Sequence, residues 1–229
     1  MSKIYICTHK DFDCPVSNPV YQVVDVRKTG DVASNGLRGA FYSELLTYKR
    51  IANRRRNHAI VGFCGYRKYF EFMDDVPNLD MIINDYGCIV TKKEIFNVCI
   101  REQYEKCLNV EDLDIITDII NKDYPEFSKA FNAMLRGNAM YTCNMFIMKI
   151  RDFKEMMAVV WDILDKYLNV VGLDIEKRIR DNRNKYIHKY SINDESYHYR
   201  LGGHLGERII SAWLMWKFPN AKTYNMVMV

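Results

Sequence analysis

The chain has 229 residues, 48% of them hydrophobic and 27% charged, with a net charge of +4. That is enough apolar material for one substantial core and too little positive charge for a nucleic-acid coat. Seven cysteines without a C-x-x-C pair and no signal peptide point to reduced thiols in a cytoplasm. No run approaches the ~18 apolar residues of a membrane span.

In chain order, residues 3–7 read as a first strand, with Thr8, His9, Lys10 and Asp11 in a polar loop at its carboxyl end. Residues 20–26 form a second strand. After the turn Thr29-Gly30-Asp31, the spacing of Leu37, Phe41, Leu45, Tyr48 and Ala52 predicts an amphipathic helix, with Ser34 or Asn35 as its cap. Arg54, Arg55 and Arg56 follow at its end, usually a solvated face that complements the macrodipole. The minority reading of that triplet is peripheral docking on anionic lipid heads or a polyanionic acceptor.

The run from Ala59 to Val61 breaks at Gly62 and Gly65, then delivers Tyr66, Arg67, Lys68, Tyr69 and Phe70. A buried strand that ends in glycine and is followed by cations and aromatics builds a polar floor at a sheet edge. Ligands of α/β folds sit there, outside the carboxyl ends of the strands. Short strands are predicted around 81–83 and 88–90, and two or three helices over 94–136, one of them starting after Asn109. Residues 141–149 read as an apolar strand. The next helix carries Asp152 and Glu155 as a capping box and buries Phe153, Met156, Val160, Trp161, Leu164, Tyr167 and Leu168. Residues 176–199 are polar and read as a mobile or ligand-ordered segment. The last helix places Leu205, Ile209, Ala212, Trp213 and Trp216 on one face. Strands alternating with helices give an α/β class with a mostly parallel central sheet flanked by helices, in one domain over 1–229.

Several residues invite chemistry. His9 and Lys10 could hold a base or a phosphate, or could simply be loop residues. Glu44 borders the apolar stripe and suits either a structural pair with a cation such as Arg67 or a sugar-hydroxyl contact. Asn144 interrupts an apolar strand, so its amide either knits the sheet or faces a substrate. Gly202, Gly203 and Gly206 open a helix with Arg200, His204, Glu207 and Arg208 around them. A helix N-terminus attracts phosphate, and Glu207 is a candidate general base; the ordinary reading is a Glu207–Arg208 surface pair. Asp112 and Asp114 lie on a helix, pointing to opposite sides, and cannot chelate together. Asp11 and Asp13 lie in the first loop, whereas Asp74 and Asp75 follow the strand that ends at Cys64 and are better placed to hold a divalent metal.

Five elements in order carry a resemblance. They are Ile4-Tyr5-Ile6-Cys7-Thr8-His9-Lys10, then Gly30-Asp31 through Tyr42-Ser43-Glu44-Leu45, then Val61 to Phe70, then Asn144-Met145-Phe146-Ile147-Met148, then Gly206-Glu207-Arg208. Together they resemble a family of bacterial capsule and lipopolysaccharide glycosyltransferase-like proteins, long filed as a domain of unknown function, in the GT-A superfamily. Departures are Gly65 in place of a histidine, Lys68 in place of an arginine, and Val32-Ala33-Ser34 in place of an asn-ile-ser string. The resemblance implies a single GT-A-like, Rossmann-related domain that moves a sugar from a UDP-linked nucleotide-sugar to a glycan or other saccharide acceptor. It places Thr8, His9, Lys10 and Tyr66 near the nucleotide, and Arg67 with Arg200 or Arg208 at the departing diphosphate. Glu207 is then the base, with Asp75 in reserve, and Glu44, Asn144 and His204 meet the substrate. Mn2+ or Mg2+ at Asp74 and Asp75 would assist the leaving group. The competing reading is a degenerate, non-catalytic fold that binds a glycan or a protein. RNA binding through 176–200 ranks last, and no nucleic-acid partner is expected.

Overall fold

A computed structural model describes residues 2–26, 41–55, 58–186 and 199–229. In chain order the elements are β1 (Ser2–Thr8), β2 (Tyr21–Asp25), α1 (Leu45–Ala52), β3 (Ile60–Gly65), β4 (Lys68–Phe70), α2 (Leu79–Tyr86), β5 (Cys88–Thr91) and β6 (Glu94–Ile95). Then come α3 (Ile100–Cys107), α4 (Val110–Asp123), α5 (Pro125–Arg136), β7 (Ala139–Met140), β8 (Phe146–Lys149) and α6 (Ile150–Val171). The chain closes with α7 (Ile175–Tyr186), α8 (Leu201–Lys217), β9 (Lys222–Tyr224) and β10 (Met226–Met228).

The sheet is built around β3. It pairs in parallel with β1, which pairs in parallel with β2 on its far side. On its other side β3 meets β8 antiparallel, β8 meets β5 antiparallel, and β5 runs parallel to β9. The chain leaves β3 through the two-residue hairpin 66–67 into β4, which β10 extends. Alternation along the strands sends Tyr5, Phe63, Val90 and Phe146 to one face and Ile4, Ile6, Ile89 and Ile147 to the other. Both faces are apolar because both are covered, the first by the helical layer of α1, α4, α6 and α8 and the second by α2 and the loop at Val16.

The structure alters several expectations. Residues 81–83 lie in α2 and not in a strand: Asn78 caps that helix by accepting from the Met81 amide, and Leu79, Ile82 and Ile83 face the core at helical spacing. The predicted strand over 141–149 starts only at Phe146, because Cys143 and Asn144 adopt left-handed backbone at φ +67° and +50°. Asp152 and Glu155 form no capping box. The cap position falls three residues earlier, at Lys149, so the helix starts at Ile150, whose amide bonds the Ala59 carbonyl, and Asp152 pairs with Arg151. Leu205, Ile209, Ala212 and Trp213 are buried as expected, whereas Trp216 is 37% exposed. Strands β9 and β10 had no counterpart in the sequence reading. Ser34, Asn35, the Gly30-Asp31 motif, Arg56 and residues 187–198 lie outside the described residues.

Candidate functional site

Four pieces of chain meet at one end of the sheet: the 43–44 turn before α1, β4, the 142–144 turn before β8, and the first half of α8. They enclose a cavity of about 340 Å³ whose wall includes Glu44, Lys68, Asn144, Arg200, His204 and Glu207. The N-terminal half of α8 can approach the 41–45 segment because it is glycine-rich. A Cβ at Gly202 would stand 2.3 Å from the Phe41 ring, and one at Gly206 would stand 2.5 Å from Leu45. These glycines serve close packing between chain segments rather than ligand approach.

Two carboxylates are tied to consecutive residues of the left-handed turn. The Cys143 amide donates to Glu207 Oε1 at 2.7 Å, and the Asn144 side-chain amide donates to Glu44 Oε1 at 2.7 Å. The Ser43 hydroxyl donates to the other oxygen of Glu44. Glu44 is therefore held by Asn144 and Ser43, not by Arg67. Behind the turn, the buried Tyr48 hydroxyl donates to the Asn144 carbonyl at 3.0 Å and the Lys68 ammonium donates to Cys143 Sγ at 2.8 Å. Of the four non-glycine residues with positive φ among the described residues, Ser43, Cys143 and Asn144 line this cavity. Backbone strain concentrated at one site marks a geometry that the fold over-determines.

Glu207 and Arg208 form a pair, but not on the surface: Arg208 is 4% exposed and donates to Glu207 Oε2 at 2.9 Å. Burial pushes the Glu207 carboxyl above the ordinary glutamate range, and nearby Glu44 adds to that rise. Arg208, the Cys143 amide and Lys68 oppose it. A carboxyl held in this way on a cavity wall is suited to accepting a proton from a bound hydroxyl.

A second group sits at the carboxyl ends of β1 and β3. Tyr66 is its hub: His9 meets the ring edge-on at 5.4 Å, Phe12 packs at 5.8 Å, and the Arg67 guanidinium lies 5.0 Å from the ring centre. Thr8 closes the turn here, its hydroxyl donating to the Lys10 carbonyl and accepting from the Lys10 amide. This edge adjoins the cavity. Cys7, one residue before Thr8, has its thiol raised by burial and by the charge of Glu44.

Residues 3–218 match the model of a family described as a domain of unknown function, DUF4422. The chain belongs to that family. No curated protein matches it in sequence. Among solved structures it is similar to an apo structure of WbbM, a bifunctional glycosyltransferase, with a TM-score of 0.74 and 17% identity. The match covers 99% of this chain and 44% of that one, so this chain spans less than half of WbbM. At this identity the likeness establishes the fold.

In this DUF4422 chain the predicted residues thus fall into three groups. Glu44, Asn144, Arg200, His204, Glu207 and Arg208 line the cavity, and Thr8, His9, Lys10, Tyr66 and Arg67 form the adjoining edge. Asp74 and Asp75 line neither. Asp74 accepts from the Ser17 and Asn18 amides, both at 2.7 Å, and so clamps the loop before β2. Among the described residues no group of three or more His, Cys, Asp or Glu side chains could hold a metal ion, and Asp74 and Asp75 stand apart from the cavity lining. No helix of the described residues is long and apolar enough to cross a membrane. Sequence reasoning missed Ser43, Gln103, Thr142 and Cys143 as cavity residues, and it placed Lys68 in a motif without a role.

A second groove of equal volume lies between α5, α6 and α8, among Tyr124, Phe127, Trp213 and Trp216. Among the described residues its charged lining is Glu126 and Glu155, and there it has neither the convergent polar groups nor the left-handed turn of the first.

Proposed function

We propose that this chain is a glycosyltransferase of the GT-A type, moving a sugar from a UDP-linked donor to a saccharide acceptor in the 340 Å³ cavity. The observation that carries the reading is Glu207, fixed at both oxygens on a cavity wall shared with Lys68, Arg200 and His204. The fold of WbbM supports it, as does the Tyr66–His9 edge at the carboxyl ends of β1 and β3, where α/β folds place nucleotides.

In this reading the Tyr66–His9 edge offers a stacking face to the nucleobase, and Lys68 and Arg200 meet the diphosphate. The acceptor hydroxyl oxygen forms a bond to the anomeric carbon while the bond from that carbon to the donor diphosphate breaks. The bonding electrons leave on the diphosphate oxygen, whose developing charge the two cations stabilise. The acceptor's proton passes to Glu207, a transfer worth ~10²–10⁴-fold in rate. Glu44 and Asn144, locked to each other, present hydrogen-bonding groups to sugar hydroxyls.

A thermal-shift panel of UDP, GDP, CMP and their sugar conjugates, with and without Mn2+ or Mg2+, tests this. UDP and UDP-sugars are expected to raise Tm, because a ligand that binds only the folded chain stabilises it. A shift with GDP or CMP alone would reassign the donor. No shift with any nucleotide would overturn the transferase reading in favour of a glycan-binding module.

A further inference from the structure

The resemblance sets Arg67 with Arg200 or Arg208 at the departing diphosphate, but the surroundings of Arg208 give it another task. Its side chain is 5% exposed. One guanidinium nitrogen donates both to Glu207 Oε2 at 2.9 Å and to the His204 carbonyl at 3.2 Å. The other donates to Gln103 Oε1 on α3 at 2.7 Å, and the group lies 5.1 Å from the centre of the Tyr104 ring. On the far side of Glu207, the Cys143 amide holds Oε1. A continuous line, Gln103–Arg208–Glu207–Cys143, therefore runs from α3 through α8 to the left-handed turn. Both terminal nitrogens of Arg208 hold protein acceptors, which turns the guanidinium toward Glu207 and Gln103.

We propose that Arg208 and Gln103 are positioning residues: they orient the Glu207 carboxylate on the cavity wall and supply its counter-charge, leaving the diphosphate to Lys68 and Arg200. This deepens the transferase reading and rests on it for the identity of the base. Lys68 and Glu44 act on Glu207 from the neighbouring elements with opposite sign, and Glu94, Cys143, Arg200 and His204 line the same cavity. Arg208 is the cation in direct contact with the carboxylate, and Gln103 keeps it turned that way. A guanidinium that only glued α8 to α3 would leave the titration of Glu207 where it is.

The test is a titration of the full chain by NMR, with glutamate labelled at the side-chain carboxyl carbon and the Glu207 signal assigned by its loss in Glu207→Gln. In Arg208→Gln the midpoint of Glu207 should rise by about one pH unit or more, since the contacting opposite charge is gone. Arg208→Lys keeps the charge and should restore most of the shift. Gln103→Glu puts a second carboxylate on the same guanidinium and should also raise the midpoint; it changes a half-buried residue and serves if Arg208→Gln does not fold. The readout needs no turnover, so it stands apart from the transferase reading. In an active enzyme the acid limb of kcat/KM should move with the midpoint. An unmoved midpoint in folded Arg208→Gln, or in Gln103→Glu if the former unfolds, overturns the proposal. So does a loss of UDP stabilisation in Arg208→Gln at an unchanged midpoint, because that would make Arg208 a diphosphate ligand.

Discussion

Asp112 on α4 and Glu207 on α8 are both carboxylates that burial pushes above their ordinary range and that an arginine holds back. Asp112 is fully buried, accepting from the Tyr167 hydroxyl of α6 and from Arg178 of α7, both at 2.8 Å. It ties three helices together where no ligand can reach. Glu207 has the same kind of partner, yet its side chain is 20% exposed on a cavity wall, and its other oxygen is held by a backbone in left-handed conformation. The chemistry of the pair does not separate scaffold from site. What separates them is the open space in front of the carboxylate and the strained turn behind it.

Substitutions at the two acids sharpen that contrast. Glu207→Gln keeps the shape and an acceptor for the Cys143 amide but turns its NH2 toward the buried Arg208, so transfer should fall ~10²–10⁴-fold with a loss of Tm smaller than that of Asp112→Ala. A variant that loses stability and retains turnover would make Glu207 a second Asp112. Asp112→Ala strips Arg178 and Tyr167 of their shared acceptor inside the helical layer and should cost about 3–5 kcal/mol in urea unfolding. Its kcat, measured per folded molecule, should be unchanged; a large fall in kcat at intact stability would break the comparison from the other side.

Smaller effects probe how the cavity is framed. Gly202→Ala drives a methyl group into the Phe41 ring and should destabilise by about 1–3 kcal/mol, loosening the segment that carries Ser43 and Glu44. Asn144→Ala and Asn144→Gly both remove the bond to Glu44, but only glycine accepts φ +50° without penalty. The glycine variant should therefore be the more stable by about 1 kcal/mol, and equal stabilities would deny the strain. The pH dependence is subtler. Because Asp112 binds its proton more tightly folded than unfolded, its contribution favours folding below the ordinary aspartate range. That contribution is lost as pH rises through the elevated folded value. Asp112→Asn should remove this fall from the stability–pH curve.

Much of the frame was legible in the residues. The unbroken apolar run into Gly65 carries its burial in its composition, and the stripes on α6 and α8 carry theirs in their spacing. Residues 81–83 were not legible, because three apolar residues fit a buried strand and a helix turn equally well. The 142–144 turn was hidden for another reason. Its letters are apolar enough for a strand, and the sign of φ is not written in them; Asn144 alone hints at it, since asparagine tolerates the left-handed region. Gln103 left no signal at all. It is one polar residue on a charged helix, and its partner Arg208 is 105 positions away. Glu44, Asn144 and Glu207 could each be singled out from the sequence, but what joins them is a turn that only the fold creates.

The claim at the centre is that the cavity around Glu207 receives the nucleotide, and Cys143 on its wall reports on that directly. Alkylation by iodoacetamide, followed by mass spectrometry with and without saturating UDP, can be compared with the exposed Cys14 in the same sample. UDP is expected to suppress labelling of Cys143 and leave Cys14 unaffected. Equal labelling of Cys143 at a UDP concentration that saturates the thermal shift would place the nucleotide elsewhere and contradict the account.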